Sequence, residues 1–128
     1  MKLENITSAI NHLEGAMRAL LEKNEKEVTR FVWKAAADLE HALFLFFLMY
    51  QEETPSASWK LNPPSKQVEV GPTLVVARDL LKEAKDSFEA ERFREAHKKT
   101  WMAQRHLSRI HDFFEKMRMK SEKASSPS

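Results

Sequence analysis

Arg92 and His97 flank the four residues Phe-Arg-Glu-Ala, and this Arg-x4-His is the spacing in the chain that points most directly to a reaction. Imidazole titrates near neutrality and exchanges protons, while a guanidinium stabilises charge developing on phosphate. A looser Arg-x5-His runs from Arg105 to His111. Both lie in a cationic stretch. From Arg92 to Lys123 the basic residues are Arg92, Arg94, Lys98, Lys99, Arg105, Arg109, Lys116, Arg118, Lys120 and Lys123, against Glu95, Asp112, Glu115 and Glu122. The whole chain carries a formal net charge of only +2. A stripe of this sign attracts phosphate backbones or acidic protein surfaces, and Arg94, Lys98, Lys99, Arg105 and Arg109 are the residues expected to contact such a partner. The alternative is a solvated helix face that serves solubility.

Other chemistries have less behind them. The chain has no Cys, which excludes disulfides, thiolate metal sites and cysteine nucleophiles and suits a reducing, cytoplasmic setting. Two Gly in 128 residues leave no glycine-rich phosphate loop. Asp38 and His41, at i and i+3, are expected to face one way on a helix. A di-metal bundle site needs that pattern on two helices, however, and the matching second-half positions are His106 and Arg109. No metal or cofactor is therefore expected.

The elements that carry these residues follow from apolar spacing. Leu3, Ile6, Ile10, Leu13, Met17 and Leu20 recur at helical intervals, as do Val28, Val32, Ala35, Leu39, Ala42 and Phe46. Leu74, Ala77, Leu81, Ala84 and Phe88 form a third stripe, and Ala96, Thr100, Ala103, Leu107, Ile110 and Phe114 a fourth. The second pair repeats the first at an offset of 68: Leu13 meets Leu81, Trp33 meets Trp101, Leu39 meets Leu107. The pattern predicts an all-α, four-helix bundle made of two duplicated αα-hairpins. The helices are expected at roughly 3–23, 25–51, 73–89 and 92–119, within one domain spanning residues 1–120. Asn24 with Glu27 is expected to cap the second helix, and helices three and four to be joined tightly or partly continuous. Residues 52–72, holding Pro55, Pro63, Pro64 and Pro72, read as a long linker whose Trp59, Leu61, Val68 and Val70 lie against the bundle. Residues 121–128 read as a disordered tail.

The two copies differ outside the core stripe. From Ala42 to Tyr50 helix two is apolar all round, and Ala35 to Ala37 would let another helix approach closely. The run is too short for a membrane span of about 20 residues, and no signal peptide is apparent at the start. Phe44, Leu45, Phe47 and Leu48 cannot all share the inward face with Ala42 and Phe46. Homodimerisation through them is the favoured expectation, and cover by the Trp59 linker is the alternative. Both Trp33 and Trp101 are expected to be packing residues.

The Arg92–His97 spacing, placed at the opening of the last helix, resembles that of HEPN domains, a family of small four-helix proteins. The resemblance implies dimers, RNA binding and, in some members, RNA cleavage, with His97 as acid or base and Arg92 on phosphate. Phe93 departs from the polar residue common at that position. Leu80, Ala84, Ala96 and Ala103 are similar to the small and apolar positions of tetratricopeptide hairpins, which implies a protein-interaction role. The leading expectation is a non-enzymatic, dimeric interaction module whose basic fourth helix meets an acidic protein or nucleic acid. The alternative is an HEPN-like RNA-binding protein or ribonuclease.

Overall fold

The computed structural model describes residues 4–50 and 69–125, and among them there are four helices and no strand. They are α1 (Glu4–Leu21), α2 (Glu25–Tyr50), α3 (Val70–Glu89) and α4 (Phe93–Ser125). The linker positions Pro55, Trp59, Leu61, Pro63, Pro64 and Val68 lie outside the described residues.

Each hairpin closes through the same turn. Lys23 N–H donates to the Leu20 carbonyl at 3.0 Å and Asn24 N–H to the Ala19 carbonyl at 2.9 Å. In the second hairpin, Glu91 N–H donates to Phe88 at 3.0 Å and Arg92 N–H to Ser87 at 2.8 Å. These are the paired bonds of a Schellman motif, which satisfies the last carbonyls of the outgoing helix. The motif needs a left-handed residue, supplied by Lys23 (φ 58°) and Glu91 (φ 62°) where glycine is usual. The turns coincide at the offset of 68 that relates Trp33 to Trp101. Asn24 then starts α2 by accepting Glu27 N–H on Oδ1 at 3.2 Å, as its spacing predicts.

The predicted stripes form the core. Ile6, Ala9, Leu13 and Ala16 of α1 are buried, as are Val28, Val32, Ala35, Leu39, Ala42 and Phe46 of α2. Leu74, Ala77, Leu81 and Ala84 of α3 face Ala96, Ala103, Leu107 and Ile110 of α4, and Thr100 within that last stripe returns its hydroxyl to the Ala96 carbonyl at 2.8 Å. α1 packs on α2 and α3 on α4, while α2 joins α4 and α1 joins α3 to close the bundle. Phe46 stacks on His97 near the start of α4, and Trp33 meets His111 farther along it, so α2 and α4 are antiparallel. Met17 lies against Arg78, and a methyl on Gly71 would sit 3.4 Å from Leu20, so α1 and α3 are antiparallel too. α2 therefore ends at the opposite end of the bundle from the start of α3. The docking direction, open in the sequence, is decided by these contacts.

Two boundaries differ from expectation. α3 begins at Val70, not at 73, with Pro72 inside its first turn. A proline is tolerated there because the first helical N–H groups have no intrahelical acceptor. α4 continues to Ser125, through most of the expected tail, since no Gly or Pro interrupts the chain between Phe93 and Ser125. Residues 126–128 lie outside the described residues.

Replacing Lys23 or Glu91 by Gly removes the side-chain penalty of the left-handed turn and is expected to raise stability by about 0.5–1 kcal/mol each, measured by denaturant unfolding. Phe46→Ala, which deletes the ring stacked on His97, is expected to cost about 3–5 kcal/mol in the same assay.

Candidate functional site

Arg92 and His97 are separated by their environments. Arg92 is exposed at the start of α4, where its carbonyl accepts Ala96 N–H at 3.0 Å. It lines a shallow depression with Glu83, Asp86, Ser87, Glu95 and Lys99. Three carboxylates against Arg92 and Lys99 leave the depression with a net negative formal charge, a poor seat for phosphate. His97 is only 4% exposed, and its ring lies parallel to Phe46 at 5.1 Å with 8° between planes. An imidazole in that position is a core side chain with little access to a bound substrate.

The five residues expected to meet an acidic partner also divide. Arg94, Lys98, Arg105 and Arg109 follow one another along the face of α4 opposite the buried Ala96, Ala103, Leu107 and Ile110. Arg94 and Arg105 are exposed, Lys98 and Arg109 partly so, and Lys116 extends the same line. Lys99 turns aside: its Nζ lies 3.4 Å from Glu83 of α3. Between Lys98 and Arg105 stands Trp101, partly exposed, with the Arg105 guanidinium 5.5 Å from its ring centre. That is cation–π distance, and it holds the arginine over one edge of the stripe. His106 adds no charge near neutrality, because burial, and then the Arg109 charge beside it, holds its imidazole below the usual value.

Trp33, expected to be a packing residue, is largely exposed, whereas Trp101 is partly buried. Trp33 is 63% exposed, meeting His111 of α4 at 5.8 Å. The spacing already held this information, since neither tryptophan falls on the 3–4 stripe of its own helix. The shared frame was a shared outward position. Trp33 stands apart from the apolar end of α2, with exposed Glu40 and His41 between them. Phe44 is 56% exposed, Phe47 46% and Leu48 55%, while Leu45 is partly covered.

Asp38 pairs across the hairpin with His12, Nδ1 to Oδ2 at 2.9 Å, and not with the exposed His41. Nothing in the spacing of α2 identifies that partner, which lies 26 residues away. No group of three or more His, Cys, Asp or Glu side chains able to hold a metal is found among the described residues.

Because the folded imidazole of His106 resists protonation, the unfolded chain takes up that proton first as the pH falls. Stability is therefore expected to drop on acidification through about pH 6.5, and His106→Gln to reduce the drop, followed by urea midpoints across the range. Comparison with known proteins returns no matching family model, no similar curated protein and no similar solved structure.

Proposed function

We propose that this protein is a non-enzymatic interaction module that dimerises through the outward face of α2 and presents basic α4 to an acidic partner. The observation that carries the dimer is the group of exposed rings and aliphatic side chains near the end of α2: Phe44, Phe47 and Leu48. Isolated exposed apolar residues such as Trp33 are ordinary, but the cluster Phe44, Phe47 and Leu48 near the end of one helix is what an interface leaves uncovered in a single protomer. A second copy is the favoured occupant. The face is uncharged from Ala42 to Tyr50, and closed two-fold contacts place the same patch on both partners. Leu45, partly covered within the protomer, belongs to the edge of this surface.

For α4, the support is the alignment of Arg94, Lys98, Arg105 and Arg109 on one outward face, with Lys99 committed to Glu83. The cysteine-free composition supports a cytoplasmic setting, and among the described residues no helix is long and apolar enough to cross a membrane. The burial of His97 and the carboxylates around Arg92 do not favour the HEPN-like ribonuclease alternative.

The test is the mass in solution by light scattering. The dimer is expected at about 30 kDa, twice the 14.9 kDa chain. Phe44→Glu with Leu48→Glu is expected to halve that mass while helicity is retained, since both side chains point away from the core. A wild-type mass of one chain would overturn dimerisation.

A further inference from the structure

The outward stripe of α4 is more specific than a positive charge. Arg94, Lys98, Trp101, Arg105, Arg109 and Lys116 follow at intervals of four, three, four, four and seven, which keeps them on one face. Asp112 is the one acid in that line. At the offset of 68, Arg94 and Lys98 correspond to the cations Lys26 and Arg30 of α2. Arg105, Arg109 and Lys116 correspond to Ala37, His41 and Leu48, however, so the bundle does not require the cations beyond Trp101. What is placed among the cations is an aromatic ring. Trp101 is partly open to solvent and lies away from the core that Ala96, Ala103 and Leu107 form, with one arginine over its ring.

From this juxtaposition we infer that α4 binds single-stranded nucleic acid, with a base stacked on Trp101 and the flanking phosphates on Arg94, Lys98, Arg105 and Arg109. A strand whose bases are unpaired offers both a π-face and a regularly charged backbone, and cationic grooves carrying aromatic platforms are how proteins hold it without reading sequence. A duplex keeps its bases stacked and gives Trp101 nothing to meet. An acidic protein segment supplies the charge but has no planar group repeating beside it. Arg94 to Arg109 spans about 22 Å of helix at 1.5 Å per residue, enough for several nucleotides. The inference rests on the proposed role of α4 as the acidic-partner face and names that partner's chemistry.

The experiment uses three labelled probes on the full chain across a salt series. They are oligo(dT) of about 20 nucleotides, longer than the helix face can span, an abasic deoxyribose-phosphate strand of equal length, and polyglutamate. Oligo(dT) is expected to bind with an affinity that falls steeply with salt, and the abasic strand to bind about tenfold more weakly. Trp101→Ala is expected to bring oligo(dT) down to the abasic level without changing abasic binding, and Trp101→Phe to recover most of the difference. Arg105→Ala with Arg109→Ala is expected to weaken both strands and to flatten the salt dependence by about two charges. Helicity by circular dichroism checks that each variant is folded. Equal binding of oligo(dT) and the abasic strand would overturn the stacked base while leaving a phosphate-binding face. Polyglutamate binding with neither strand bound would overturn the inference and leave an acidic protein as the partner. Failure of all three probes would remove the basic face itself as a binding surface.

Discussion

Alanine takes nearly half of the buried apolar positions of this bundle, from Ala9 and Ala16 through Ala35 and Ala42 to Ala77, Ala84, Ala96 and Ala103. Small side chains at helix contacts let the axes approach closely and restrict what fits between them. The consequence is visible at Gly15, where a methyl group would come within 2.9 Å of the Phe31 ring. A few large residues, Leu13, Leu39, Phe46, Leu81 and Leu107, fill the space that the alanines leave. Close packing of this kind ties each helix to its register. It also explains why both hairpins accept a left-handed Lys23 or Glu91: the turn has to return the chain at one spacing, and the core offsets the local strain.

With the inward faces so constrained, change is confined to the outward ones. The two longer helices, α2 and α4, share start position, turn and buried stripe at a common offset, yet one presents Phe44, Phe47 and Leu48 and the other Arg105, Arg109 and Lys116. Because α2 and α4 are antiparallel neighbours, the apolar and basic surfaces lie side by side. The outward tryptophan occurs on both, near Lys26 and Arg30 in α2 and among Arg94, Lys98 and Arg105 in α4. The two copies therefore share cations before the tryptophan and diverge after it, toward Phe44, Phe47 and Leu48 in α2 and toward Arg105, Arg109 and Lys116 in α4.

Several polar side chains at and between the helices have structural partners. His12 and Asp38 join α1 to α2, Lys99 and Glu83 join α4 to α3, and His97 fills the core beside Phe46. Each of these residues has a type that also serves catalysis. Their partners give the simpler account, since a buried imidazole stacked on an aromatic ring contributes packing, and cross-helix polar pairs at the surface add only a modest link between helices.

Helix positions, the core stripes and the Asn24 cap were legible in the sequence, because each depends on spacing within a single helix. The off-stripe position of both tryptophans was legible by the same rule, and so was the divergence of Arg92 from His97, since five residues turn a helix by about 500°, leaving them about 140° apart. Tertiary structure alone decided that α2 runs antiparallel to α4, that Asp38 finds His12, that Lys99 leaves the basic stripe for Glu83, and that His97 faces Phe46. Those outcomes join residues on different helices. Periodicity says which face of a helix turns inward, but the neighbour it meets there is chosen by the shapes and charges of all four helices packed at once.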